Sequence, residues 1–151
     1  MRRVVTGHTA DGKAVIANDT EIDSVTIAPG WELIGMWNAS EPPVFPNDGS
    51  PPEIAGPRPD VPVGGFNFGL FNIPPHTGKG DPGFHITDTI DLGYVISGEV
   101  WLELDDGKEV DLRPGDTIVQ NGTRHAWRNK GSETCTIVMC MIGAHRKELM
   151  R

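Results

Sequence analysis

Short apolar runs broken by turn residues recur along most of the chain. Val4-Val5, Ala14 to Ile16, Val25 to Ile27 and Trp31 to Trp37 read as strands, with Asp11-Gly12 as a hairpin turn and Pro29-Gly30 as a break. Phe66 to Ile73 resumes the pattern, with Phe66, Phe68 and Leu70 on one parity, and Pro74-Pro75 ends it. Beyond Ile90 the predicted strands are Tyr94 to Ser97, Val100 to Leu104, Glu109 to Leu112, Thr117 to Val119, Ala126 to Arg128 and Cys135 to Ile142. Gly98, Asp105-Asp106-Gly107 and Pro114-Gly115-Asp116 are the turns between them. Turn signals at this spacing predict an all-β sandwich or barrel. Only Ala144 to Arg151 has a pattern compatible with a short helix.

Residues 39–65 break the rhythm. Pro42, Pro43, Pro46, Pro51, Pro52, Pro57, Pro59 and Pro62 deny this stretch both helix and central strand. It reads either as a surface loop or as an extended arm that crosses the body or a neighbouring subunit. The chain then divides into N-terminal strands added to a barrel (1–38), the Pro-rich loop or arm (39–65), the barrel (66–142) and a C-terminal tail (143–151).

The 151 residues suffice for one domain. Nineteen glycines and thirteen prolines favour turns over long helices. Thirteen basic against twenty-one acidic residues give a net charge of -8, which argues against nucleic acid and anionic lipid as partners. No apolar run is long enough to span a bilayer, and no secretory segment follows Met1-Arg2-Arg3, so a cytoplasmic location is expected. Cys135 and Cys140 lie on one predicted strand at an odd offset, hence on opposite faces, and read as reduced thiols.

Candidate chemistry sits in two places. His85, Thr87 and Asp91 share parity on an extended segment, and His125 follows a tight turn on a later one. Two imidazoles and a carboxylate converging in a barrel would suit a divalent transition metal such as Fe, Mn, Ni or Zn. Each residue also has a plainer reading. His125 also reads as a core histidine bonded to Asp91 or a carbonyl, His85 as a strand-end residue, and Asp91 as a turn cap, each as the lesser alternative. Trp101 and Trp127 serve either barrel packing or the wall of a ligand pocket. Arg124 and Arg128, which flank His125, read as surface charges or as an anion clamp. His76 reads as a loop histidine.

These segments resemble the cupin family, specifically a small single-domain cupin of the conserved-barrel type. The first cupin motif has the form G-x5-H-x-H-x3-E-x6-G. Here His85 takes the first histidine, Thr87 stands in place of the second, Asp91 replaces the glutamate, and Gly98 falls in place. The second motif has the form G-x5-P-x-G-x2-H-x3-N. Gly115, His125 and Asn129 match it, with Asn121-Gly122 in place of P-x-G and one residue fewer. The resemblance covers roughly residues 66–142 and implies a jelly-roll barrel with a small-molecule pocket. It implies His85, Asp91 and His125 as metal ligands, and Thr87, Trp101, Trp127 and Asn129 at the substrate pocket. No other cofactor is implied, and no catalytic residue is singled out.

The resemblance implies a metal-dependent enzyme on a small organic acid, aromatic or polyketide-like substrate, of isomerase, cyclase, decarboxylase or oxygenase type. The departure at Thr87 keeps a second reading open: a metal-free cupin that binds or senses a small molecule. An accessory subunit without chemistry is a third. A homodimer is expected, with the N-terminal strands and the Pro-rich arm as exchange elements.

Overall fold

A computed structural model describes residues 1–52, 60–77 and 83–147 of the chain. Eleven strands run in chain order: β1 Arg2–His8, β2 Ala14–Glu21, β3 Val25–Ala28, β4 Trp31–Ala39, β5 Phe66–Ile73, β6 Thr89–Ser97, β7 Val100–Glu103, β8 Glu109–Leu112, β9 Thr117–Asn121, β10 Ala126–Arg128 and β11 Cys135–Gly143. The only helical turn among the described residues is a short 3-10 turn, Asp105–Gly107. Every strand anticipated from the apolar pattern is present. Residues 144–147 form no helix, and the rest of the expected C-terminal helix lies outside the described residues, as do Pro57 and Pro59 of the Pro-rich stretch. No described helix is long and apolar enough to cross a membrane.

A six-stranded sheet, β3-β4-β5-β11-β6-β9, faces a three-stranded sheet, β10-β7-β8. All pairings are antiparallel. The core fills the space between the sheets: Val95, Ile137 and Met139 from the large sheet meet Val100, Leu102, Leu112 and Trp127 from the small one. Burial along β6 alternates strictly, with Thr89, Asp91, Gly93 and Val95 buried and Leu92, Tyr94 and Ile96 exposed. That is the period of a pleated strand with one inward face. Along β11 the same alternation buries Cys135 and turns Cys140 outward, which keeps both thiols free. Burial pushes the Cys135 thiol up to about 11, so it stays protonated at neutral pH.

The N-terminal strands divide between two structures. β3 and β4 join the large sheet, whereas β1 and β2 form a separate hairpin around the expected Asp11-Gly12 turn. The described part of the Pro-rich segment runs beside that hairpin, where the His8 amide donates to the Asn47 carbonyl at 2.7 Å. β1 reaches the barrel through Arg3, whose guanidinium lies 5.4 Å over the Trp37 ring.

Candidate functional site

Six strands facing three leave part of the large sheet's inner face uncovered. β3, β4 and β5 overhang the small sheet, and a cavity of about 1090 Å³ opens beneath them. Its apolar wall includes Ile27, Leu33, Phe71, Met139 and Met141. Polar groups share this lining: Asp91, beside Met141 on the same sheet, and His85, Thr87 and His125.

The two histidines are forty residues apart in the chain and are joined by backbone. The His85 amide donates to the His125 carbonyl at 2.9 Å, and the His125 amide returns a bond at 3.0 Å. Residues that exchange both bonds in an antiparallel bridge stand directly opposite, with side chains on the same face. The rings accordingly meet at 4.3 Å between centroids, tilted by 56°. His85 Nδ1 lies 3.1 Å from the Gly83 carbonyl and His125 Nδ1 lies 2.9 Å from the Thr123 carbonyl. A carbonyl only accepts, so each neutral ring carries its proton on Nδ1 and keeps Nε2 as its basic nitrogen. Trp127 meets the His125 ring edge-on at 5.9 Å.

Asp91 is 3 % exposed on β6, and its Oδ1 accepts the Thr89 hydroxyl at 2.5 Å. Burial raises its carboxyl above the usual Asp value, while the Thr89 bond and the charge of His85 pull it partly back. Together, His85, Asp91 and His125 share one cavity without composing a metal site. Among the described residues, no group of three or more His, Cys, Asp or Glu side chains stands as a metal ion requires. The expected three-ligand set is therefore not assembled here. The side chain at position 91 is a methylene shorter than a glutamate, its Oδ1 is engaged by Thr89, and Thr87 supplies no imidazole.

Of the expected pocket residues, Thr87 and Trp127 line the cavity, and Trp101 and Asn129 do not. Trp101 alternates with the buried Val100 and Leu102 and so faces away from the core, beneath the Lys130 ammonium at 5.5 Å. Asn129 is fully buried but holds a turn. Its side-chain amide donates to the Ile73 and Glu133 carbonyls, and its Oδ1 accepts the Gly131 amide. Arg128, read as a surface charge or anion clamp, is buried and bonded to Glu103 at 2.8 Å. Arg124 is exposed, bonds Asp105 at 2.7 Å and stacks over Phe84. His76 is an exposed loop residue with a φ of 59°. The sequence reading missed Arg3 and Trp31, which line the cavity from β1 and β4. Neither carries a motif: the order of the large sheet brings Trp31 to the site, and the packing of the β1–β2 hairpin against Trp37 brings Arg3.

Comparison with known proteins agrees with this architecture. Residues 69–141 match the family model described as "Cupin domain". The chain is 47% identical over 49 residues to oryzines biosynthesis cluster protein J of Aspergillus oryzae, a match covering 32% of this chain and 27% of that protein. The chain thus spans about a quarter of the first curated relatives it matches. Over a longer stretch of 134 residues it is 28% identical to the cupin-domain-containing oxidoreductase srdB of Neurospora crassa, covering 87% of this chain and 67% of the relative. Among solved structures, the polyketide cyclase RemF from Streptomyces resistomycificus superposes with a TM-score of 0.54 at 19% identity, over 80% of this chain and 73% of that one. KdgF from a Halomonas species gives 0.52 at 16% identity, over 79% and 86% of the two chains. These two likenesses establish the shared fold.

Proposed function

With residues 69–141 belonging to the cupin family, we propose that the chain is an enzyme that binds an aromatic or polyketide-like small molecule in the cavity and moves a proton on it through His85 and His125. The observation that carries this is the imidazole pair itself. Two rings in contact, each with Nδ1 held by a carbonyl, stand at the wall of a large cavity. A C–H bond next to a ligand carbonyl can give its proton to one Nε2, leaving the electron pair in an enolate. The same imidazolium can return that proton to another carbon or to the oxygen, as in an isomerase; where the enolate carbon instead attacks a second carbonyl of the same ligand, the proton goes to that carbonyl's oxygen and a ring closes, as in a cyclase. The Asp91 carboxylate, when ionised, favours the charged ring. The relatives named as cupin-domain-containing oxidoreductases support an enzyme in general, not this reaction class. Because the side chains present do not compose a three-ligand set, no step here runs through a metal.

The test uses 2-tetralone, a ketone with acidic α-protons, in deuterated buffer. Wild-type protein is expected to accelerate α-exchange, read by proton NMR, by at least about a hundred-fold over buffer. His85→Ala and His125→Ala should each lose most of that, and prior chelator treatment should lose none. Exchange no faster than with free imidazole would leave the second reading, a metal-free binding or sensing cupin. One equivalent of metal in purified wild type, lost in both variants, would restore the metal-dependent reading.

We propose also that two copies pair through the outer face of the large sheet. That face is apolar: Cys140, Leu92 and Val119 form one cross-strand row, and Leu70, Val138 and Tyr94 another. At ordinary strand spacing and rise, such a face offers about 500 Å² before side-chain relief is counted. That is the same order as the roughly 800 Å² per partner of a standard interface.

A further inference from the structure

Four buried side-chain polar atoms among the described residues have no hydrogen-bond partner: Arg3 Nε, Asn18 Oδ1, Trp31 Nε1 and Thr87 Oγ1. Three of their residues, Arg3, Trp31 and Thr87, line the cavity. Buried polar groups are almost always paired, and a buried tryptophan N–H normally finds an acceptor. Their concentration on one cavity therefore calls for a ligand that completes them.

Trp31 carries the strongest signal. It is 4 % exposed and belongs to the hydrophobic core cluster with Ile73 and Met139. Packing alone would be served by phenylalanine. The indole adds a single N–H, which can only donate. Arg3 Nε likewise only donates, and the Thr87 hydroxyl can donate. What these atoms lack is an acceptor. The charges on the wall narrow the class further. Arg3 is the sole Lys or Arg lining the cavity among the described residues, against Asp23, Asp60, Asp88 and Asp91. That balance disfavours an anionic ligand.

The geometry points to Trp31 as the residue that recognises a carbonyl oxygen on a neutral, ring-bearing ligand, with Thr87 and Arg3 as further donors. This rests on the reading of the cavity as a ligand site and names the chemistry that the site selects. A site built to donate a hydrogen bond rejects the analogue that lacks the acceptor, because its buried donor then stays unpaired.

The experiment compares 9-fluorenone with fluorene, two rings of nearly equal shape that differ by one carbonyl. Neither depends on turnover, and calorimetric titration reads both. Wild type is expected to prefer fluorenone by about five-fold or more. Trp31→Phe should erase that preference, and Thr87→Val should reduce it less. In an isotope-labelled wild-type sample, one indole N–H resonance, absent from Trp31→Phe, should move downfield with fluorenone and not with fluorene. This second readout stands even where the variant folds poorly, since a tryptophan at any other position giving the shift would overturn the assignment. Equal binding of both probes to wild type, or a preference that survives Trp31→Phe, would overturn the role of Trp31 and leave the cavity reading intact. Binding of neither probe would overturn both. A fluorenone carboxylate binding more tightly than fluorenone would overturn the neutral ligand class.

Discussion

Asp91 illustrates how one buried side chain sets a pH response. Burial raises its carboxyl in the folded state, and the Thr89 hydroxyl and His85 offset only part of that. A raised folded value means that the folded chain holds this proton more tightly than the unfolded chain. Its favourable contribution is therefore fullest below the ordinary Asp range and is lost as pH rises through the folded value. Asp91→Asn, which retains an acceptor for Thr89, is expected to raise the melting temperature at pH 7 more than at pH 4. Equal shifts at both values would show that the carboxyl carries no such penalty. At this scale the sequence was legible where a motif spoke. His85, Thr87, Asp91 and His125 all line the cavity. It was silent where the function of a side chain depends on sheet order, as for Trp31, and misleading for Arg128, whose burial follows from Glu103 across the β10–β7 pairing.

Among elements, the turn between β6 and β7 shows why a glycine stands in the motif. Gly98 adopts a φ of 69°, and a Cβ there would sit 2.5 Å from the Thr134 carbonyl oxygen at the entry to β11. Both the left-handed backbone and the close approach exclude a side chain. Gly98→Ala is expected to destabilise the fold by about 3 kcal/mol, measured by denaturant unfolding, from backbone strain and overpacking together. A loss under about 0.5 kcal/mol would mean that β11 can shift at little cost. Apolar runs between turn signals recovered every strand, and strict period-two burial holds along β6, whereas β2 is exposed along nearly its whole length. The pattern could not tell that β3 and β4 would join the large sheet while β1 and β2 stood apart, since that choice is made by pairing with β5, far along the chain. Nor could it separate Trp101 from Trp127, which lie on neighbouring strands and face opposite ways.

For the whole molecule, the pairing proposed above rests on the outward rows of the large sheet. Leu92, Tyr94, Ile96 and Val119 are each between 43 and 56 % exposed on a continuous sheet face. An apolar area of that extent is characteristic of association. Light scattering is expected to give a species of twice 16.4 kDa, and Leu92→Glu with Tyr94→Glu to return it to the single-chain mass. A wild type of single-chain mass at tens of micromolar would contradict the pairing. The mismatch between six strands and three has a different consequence. Where the small sheet stops, the large one lacks its opposing layer, so a molecule lodged there completes the sandwich as a third strand set would. Occupancy and unfolding are then linked: a compound at about a hundred times its dissociation constant would add roughly 2.7 kcal/mol of resistance to heat. The melting curve of the bare protein thus becomes a detector with which a library of ketones and quinones can be sorted before any reaction is known.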